Sequence, residues 1–455
     1  MITNETIAAV ATPYGTGGIS VIRVSGSDAF AVCDRVFQNP KGKTLTAAKS
    51  HTILYGHIVS EGKTIDEVLV SVMRAPHTFT GEDTAEVSCH GGITVTNAVL
   101  GAILTHGAVL AAPGEFTKRA FLNGRMDLAQ AEAVIDVIQS PSSLALDVAT
   151  HQLEGNISQR IAALRSQLLE TTAHINAVID YPEEEIDEID EREIGDTLQS
   201  VLDGVNTLLA SAERGTLIRD GINTVIVGRP NVGKSSLLNA LADSDRAIVT
   251  EIAGTTRDVI EERVVLSGVC LNIFDTAGLR ETDNPVEALG ISKAEEYLQK
   301  AELVLFVIDA QAGVTEEDIA IAQKLRGKKT VLIVNKTDLN DSPQLAGLEQ
   351  QLQTVSLCAK QRSGLDKLSV CIEKMFHLGE ITADETVTIT NLRHKQALAS
   401  AKQHLEHAYK SIGKVPVDLA AIDITNAIGA LGEITGQTVS EEIVEQIFSR
   451  FCLGK

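Results

Sequence analysis

Thr224-Val-Ile-Val-Gly-Arg-Pro-Asn-Val-Gly-Lys-Ser-Ser-Leu-Leu-Asn-Ala-Leu241 runs from a β-branched apolar stretch, through a glycine-bounded loop, into leucines at helical spacing. Its centre, Gly228-Arg-Pro-Asn-Val-Gly-Lys-Ser235, has the spacing of a phosphate-binding loop in the context that motif requires, after a strand and before a helix. Glycines let backbone N–H groups curl around a β-phosphate, a lysine reaches the β/γ oxygens, and an adjacent hydroxyl can ligate magnesium. The pattern therefore predicts Lys234 at the phosphates and Ser235 on magnesium, with Asn231, Val232, Gly233 and Ser236 beside them.

Three further segments follow in the order such a site needs. Asp275-Thr276-Ala277-Gly278 comes after the apolar run Leu271–Phe274; Asp275 suits a water-mediated hold on magnesium, and the Gly278 N–H can meet a γ-phosphate. Asn335-Lys336-Thr337-Asp338 follows another apolar run, and its carboxylate can accept from both N1–H and the exocyclic amine of guanine. Cys358-Ala359-Lys360 stands where Ser-Ala-Lys is usual, with the Ala359 N–H expected at the base oxygen. Between the phosphate-binding loop and Asp275 lies Gly254-Thr-Thr-Arg-Asp258, where Thr256 is placed to complete the magnesium shell and sense the γ-phosphate. Together these predict a GTP-hydrolysing G domain. Leu279 occupies the position of the water-orienting glutamine of Ras-like proteins and cannot hydrogen-bond to water. The acidic stretch Arg280-Glu-Thr-Asp-Asn-Pro-Val-Glu287 offers several carboxylates for that task, and the residues alone do not choose among them.

Outward from the loop, the chain divides by period. Strand candidates Thr224–Val227, Val264–Leu266, Leu271–Phe274, Leu303–Ile308 and Thr330–Val334 alternate with helical stretches, which predicts a parallel α/β unit over 218–378. Residues 1–118 read as mixed α/β, with the turn-rich Thr12–Gly18 before the strand Ile19–Val24, and Phe79–Thr84 before the strand Ala85–Ser88. Over 119–217 the period is helical: Asp127 caps a helix bearing Leu128, Ala131, Ile135 and Ile138. A second stripe runs Ile157, Ile161, Leu164, Leu168, Ile175 and Ile179, and a third Leu198, Val201, Val205, Leu208 and Ala212. The acidic run from Pro182 reads as a solvated loop or helix start. Helical patterning returns over 379–455. The expected fold is α/β plus α: an N-terminal mixed domain, then a helical domain interrupted by an inserted P-loop G domain.

The chain has 455 residues, more than one core supports, and 44% of them are hydrophobic. A formal charge of −22, 3% aromatics and no tryptophan oppose a broad sequence-blind grip on nucleic acid or an extended base-stacking platform. If RNA is a substrate, a partner supplies basic surface. The longest apolar run, Leu303–Ile308, falls far short of the roughly 20 residues of a membrane span, and Met1-Ile-Thr-Asn-Glu5 lacks a signal-peptide pattern. A cytoplasmic location with no membrane association is expected. Six cysteines without a Cys-x-x-Cys pair argue against structural zinc and a disulfide framework, and Cys89-His90 has nothing nearby to complete a metal site.

Over its full length the chain resembles the family of tRNA-modification GTPases called MnmE or TrmE. The match rests on Ala11-Thr-Pro13, Phe79-Thr-Gly-Glu-Asp83, Pro113-Gly-Glu-Phe-Thr-Lys-Arg-Ala-Phe-Leu-Asn123, Asp127-Leu-Ala-Gln-Ala-Glu-Ala133, the G motifs and the final Phe451-Cys-Leu-Gly-Lys455. The resemblance implies a homodimer joined through N-terminal domains, with G domains meeting during hydrolysis. It implies a flavoprotein partner, MnmG, with which an aminomethyl or carboxymethylaminomethyl group is placed on C5 of the wobble uridine of certain tRNAs. It also implies potassium beside the β/γ-phosphates, held by Asn231, Thr250, Ile252 and Thr255, with Glu251, Ala253 and Gly254 completing that nucleotide-binding loop. The family's water-activating glutamate falls on Glu287, within Val286-Glu-Ala-Leu-Gly-Ile291. Formyl-tetrahydrofolate contacts fall on Arg23, Glu86, Arg125 and Lys455; a lysine is common at the third, and arginine keeps its charge with different geometry. Cys452 is a candidate functional thiol near that site. The competing function is a ribosome-assembly or regulatory switch GTPase without modification chemistry.

Overall fold

The computed structural model describes residues 5–180, 190–244, 262–266, 268–274, 296–340, 343–378 and 387–455. Of the acidic run expected to be a loop or helix start, residues 182–189 lie outside them, whereas Asp190 caps the helix Glu191–Asp220 by accepting from the Arg192 N–H at 2.9 Å. Two compact units are formed, one by residues 1–135 with 431–455 and the other by 136–430.

In the first unit, a sheet of seven strands is seen among the described residues. These are β1 (Ile7–Val10), β2 (Ile19–Ser25), β3 (Phe37–Gln38), β4 (Thr52–Ser60), β5 (Lys63–Met73), β6 (Thr84–His90) and β7 (Val109–Leu110). Their order is β3-β4-β5-β6-β2-β1-β7. Neighbours run antiparallel except β1 and β7. The helices Ala29–Asp34 and Ile93–Thr105 cover one face, where Phe30, Val99 and Ile103 pack with Val24, Val70 and Val87. Alternation does this: Val24 and Ile22 go inward, so Arg23 between them projects to the other face. Register then sets Arg23 directly opposite Glu86 of β6. Asp127 caps the helix Leu128–Gln139 as expected, accepting from the Gln130 N–H at 2.9 Å while the Gln130 side chain takes the Asp127 N–H at 3.1 Å. The terminal segment joins this unit through Phe448 and Phe451, packed with Leu128 and Ala131. Gly454, at φ +88°, lies so close to β1 that a Cβ there would stand 2.1 Å from the Val10 oxygen.

The second unit carries helices Ser143–Leu153, Asn156–Asp180 and Glu191–Asp220 before its sheet, and Leu392–Ser411 after it. The predicted stripes face inward, except that Ile138 and Ile179, each next to the last residue of its helix, are exposed. The sheet consists of β8 (Ile222–Val227), β9 (Glu262–Leu266), β10 (Val269–Phe274), β11 (Leu303–Asp309), β12 (Thr330–Asn335) and β13 (Gln353–Ser356). The order is β13-β12-β11-β8-β10-β9. The expectation of an all-parallel unit needs one correction: β9 pairs antiparallel with β10. Only Ser267 and Gly268 separate them, which permits a hairpin but not the dozen-residue crossover of a parallel pair. Along β11, Leu303, Leu305 and Val307 enter one apolar layer, and Val304, Phe306 and Ile308 the other. Burial on both faces is what an uninterrupted apolar strand signifies.

Where the chain leaves and re-enters the helices, it is stitched to itself. The Gln152 amide donates to the Thr388 carbonyl at 2.9 Å and to Thr390 Oγ1 at 3.0 Å, and the Ile389 N–H donates to Ser211 Oγ at 3.1 Å. Gly215 allows this approach, because a Cβ there would lie 2.1 Å from the Ile389 oxygen. Gly215→Ala should therefore destabilise the protein by about 1–3 kcal/mol through overpacking. Gly195→Ala in the same helix, where the added carbon meets nothing nearer than 3.9 Å, should be neutral or stabilising. Thermal unfolding of the two variants checks this contrast.

Candidate guanine-nucleotide site and an N-terminal cationic cluster

β8 ends at Val227 and the helix Lys234–Ser244 starts at Lys234, so residues 228–233 turn the chain between them. Gly228 has φ +148°, and a Cβ would stand 2.3 Å from the Val307 oxygen. Gly233 has φ +100°, and a Cβ would stand 2.2 Å from the Asn335 amide nitrogen. Only glycine fits either place. Asn231 between them is held at φ +65°, a conformation asparagine tolerates better than most residues.

Side chains from elsewhere keep this loop in shape. Asn335, 2% exposed at the end of β12, donates through Nδ2 to the Val232 carbonyl at 3.0 Å. Its Oδ1 accepts from the Ala359 N–H, also at 3.0 Å. Lys336 Nζ donates to the Asn231 carbonyl at 2.9 Å and to Asp309 Oδ2 at 2.7 Å. Burial opposes the Asp309 charge, but the Lys336 hydrogen bond, the N–H groups of Gln311 and Ala312 and the ammonium charge together hold its carboxyl below the usual aspartate value. Arg229 Nε donates to both oxygens of the fully buried Asp318 at 2.9 Å. Lys234 Nζ lies 2.6 Å from the Gly228 carbonyl and 2.9 Å from that of Arg229. Ser235 and Ser236 are exposed on the first turn of the helix.

Asn335–Asp338 and Cys358–Lys360 come together with this loop at the carboxyl ends of parallel strands, the usual ligand crevice of such sheets. Asp338 and Lys360 are exposed there, and Thr337 is half-buried. Cys358 Sγ lies 3.1 Å from Asp338 Oδ1, so the thiol supplies the donor that a serine hydroxyl would. The Ala359 N–H donates to Asn335 Oδ1, which ties this segment to the end of β12. Thr250, Glu251, Ile252, Ala253, Gly254, Thr255, Thr256, Asp275, Thr276, Ala277, Gly278, Leu279 and Glu287 lie outside the described residues. Sequence reading passed over Arg229, Asp309 and Asp318. Thr315-x-x-Asp318 is a capping-box pattern that would have placed Asp318 at a helix start, though not against Arg229.

In the first unit, Arg23, Glu86 and Lys455 meet. Arg23 Nε and Nη2 both lie 2.9 Å from Glu86 Oε1, and the guanidinium sits 5.1 Å from the Phe79 ring centre and 5.7 Å from that of Phe116. Arg23 Nη1 is buried without a hydrogen-bond partner among the described residues. Burial first, then the Arg23 charge, push the Lys455 ammonium below the ordinary lysine pKa, with Glu86 opposing. The Lys455 N–H donates to the Cys452 carbonyl at 3.3 Å, and the Cys452 side chain is half-buried. Arg125 is exposed and donates to the Thr78 carbonyl at 3.1 Å, next to Phe79 in the chain.

Removing the Asn335 side chain strands a buried carbonyl and a buried N–H at once. Asn335→Ala should weaken GDP and GTP binding alike by roughly tenfold or more, since each orphaned group costs about 1–3 kcal/mol. Titration calorimetry measures this, and unaltered affinity would exclude the residue from supporting the site.

Residues 128–452 match the model of the MnmE helical domain, and residues 6–125 match that of the GTP-binding protein TrmE N-terminus. A tRNA modification GTPase MnmE of Geobacillus thermodenitrificans is 47% identical over 461 residues, covering 99% of each chain. One of Lactobacillus helveticus is 46% identical over 456 residues, covering 99% of this chain and 98% of its own. The solved structure of a variant of Aquifex aeolicus Era bound to GDP and AlF4− is 28% identical, covering 43% of this chain and 69% of that one with a TM-score of 0.27. Two family models and near-half identity from end to end leave one assignment: the chain belongs to the MnmE family of tRNA modification GTPases, and is a GTP hydrolase acting in tRNA modification.

Proposed function

We propose that this GTPase works as a homodimer with the flavoprotein MnmG. Together they place an aminomethyl or carboxymethylaminomethyl group on C5 of the wobble uridine of certain tRNAs, using a one-carbon unit from formyl-tetrahydrofolate. The division of labour follows segments 1–118 for folate and dimerisation, 119–217 and 379–455 for the helical domain, and 218–378 for GTP. The observation that carries the folate reading is Arg23 Nη1, a buried donor lacking an acceptor among the described residues, beside an ion pair and a lysine of lowered pKa. Such a donor is what a ligand bearing carboxylates and carbonyls satisfies. Arg23, Glu86 and Lys455 would hold the folate and Arg125 would lie at the rim, with Cys452 as the thiol beside it; the bound folate supplies the one-carbon unit.

In the G domain, Asp338 accepts from the two donors on the guanine edge and Lys234 leaves its carbonyls for the β/γ-phosphates. Ser235 and Thr256 would hold magnesium, with Asp275 acting through water, and Asn231, Thr250, Ile252 and Thr255 would hold potassium. Bound there, the two cations offset negative charge developing on the phosphates. Glu287 orients and deprotonates the attacking water, the role that Leu279 cannot take. The experiment that tests the whole reading is nucleoside analysis of tRNA made with and without this protein and its flavin partner. Loss of the C5-modified wobble uridine supports it, and an unchanged nucleoside profile refutes it.

Turnover should be faster in potassium than in sodium at equal ionic strength, and should rise with protein concentration where pairing of G domains limits it. Glu287→Ala should cut turnover by about a hundredfold or more with nucleotide affinity intact, as for a lost general base. Equal rates in both salts, with a fully active Glu287→Ala, would sink this mechanism. Arg23→Ala should weaken formyl-folate binding in calorimetry and leave GTP affinity alone. The affinity for an anionic folate should fall as pH rises through the lowered Lys455 pKa, because the ammonium is lost earlier than in an ordinary lysine. Lys455→Arg should flatten that dependence.

A further inference from the structure

Three side-chain straps hold the phosphate loop, each on a different residue. Two of them, Asn335 to the Val232 carbonyl and Lys336 to the Asn231 carbonyl, come from the segment that also carries Asp338. The third does not. Asp318 stands at the third position of the helix Glu316–Lys324, on the connection that leaves β11, and belongs to none of the nucleotide-binding motifs. None of its surface is exposed, and its carboxyl oxygens are met by hydrogen-bond donors. Both oxygens lie 2.9 Å from Arg229 Nε, while Oδ2 also accepts from the Thr315 N–H at 3.0 Å and the Thr315 hydroxyl at 2.9 Å. Arg229 is the first residue after Gly228, and its own carbonyl is one of the two that hold Lys234 Nζ. Its Nη2 is buried with no hydrogen-bond partner among the described residues, so the side-chain hydrogen bonds seen for this guanidinium all go to Asp318.

The loop holds the non-glycine Asn231 at φ +65° and leaves Gly228 and Gly233 many other conformations to visit, so an unstrapped loop relaxes away from that shape. A site competent for only a fraction of the time loses affinity by that fraction. We propose that Asp318, acting through Arg229, is a positioning residue of the GTPase: the pair presets the phosphate loop before nucleotide arrives, and the helix Glu316–Lys324 thereby governs nucleotide release. The inference rests on reading residues 228–235 as the phosphate loop.

The test is stopped-flow release of fluorescent methylanthraniloyl-GDP from the full-length chain, below the melting temperature of every variant. Asp318→Asn keeps an oxygen for the Thr315 N–H while removing the charge, and Arg229→Gln removes the other partner from the partly exposed side. Each should speed release and raise the Kd by roughly tenfold. The double variant should be no worse than the worse single one, as for one shared interaction. Discrimination of GTP against ATP should stay as it was, because the base edge is untouched. Arg219→Gln, which breaks a comparable pair with Asp136 at 2.9 Å elsewhere in the same unit, should lower the melting temperature without changing release. Should Asp318→Asn fail to fold, Arg229→Gln alone decides. Wild-type release from Arg229→Gln, strictly additive single effects, or equally fast release from Arg219→Gln each overturn the proposal. Lys234→Ala separates the layers: full affinity there overturns the phosphate-loop reading beneath, whereas lost affinity there with normal release from Arg229→Gln overturns the strap alone.

Discussion

A loop that wraps phosphate has to hold its backbone N–H groups outward, toward a ligand, and so forgo the hydrogen bonds that would otherwise shape it. Residues 228–233 meet that constraint with their carbonyls instead: those of Gly228, Arg229, Asn231 and Val232 all accept from lysine or asparagine side chains. The donors sit on the helix after β8 and at the end of β12, which places the strands before the loop can exist. β8 and β12 flank β11, whose uninterrupted apolar sequence fixes both faces of the sheet. The site is thus a consequence of strand order, and the strand order of two-sided burial.

The N-terminal cluster obeys a different logic. No loop is preset there; two strands simply run antiparallel in a register that sets Arg23 against Glu86. Phe79 and Phe116 wall the guanidinium, leaving it ion-paired on one side and, among the described residues, short of an acceptor at Nη1. Charge in an apolar wall is costly unless it is fully paired, so this arrangement is stable only in part without a further acceptor.

How much of this could be read from residues depends on how local each signal is. Gly228–Ser235 and Asn335–Asp338 are contiguous strings whose chemistry is complete within a few residues, and both lie where strand and helix patterning put them. The stripes at Ile157 and Leu198 were equally plain, since period alone marks a buried face. The partners of Lys336 and Arg229 were invisible: Asp309 and Asp318 lie 27 and 89 residues away from them, and nothing in either neighbourhood announces the pairing. Arg23 and Glu86 are 63 residues apart and meet only through register. The antiparallel β9 was recoverable from the four residues between the candidates Val264–Leu266 and Leu271–Phe274, too few for a parallel crossover.

The stitching of Ile389 against Ser211 and Gly215 bears on how such a chain came to be assembled. The sheet begins at Ile222, and the returning chain passes beside residues 211–215, about two helical turns upstream. The two ends of the insert are therefore neighbours, and a short flexible linker from the end of the helix Glu191–Asp220 to Thr388 would span the gap they leave. An ancestral helical protein could accept or lose a nucleotide-binding cassette at this point without rearranging its own packing. The same adjacency makes the cassette portable, a module whose termini are already paired for grafting into another scaffold.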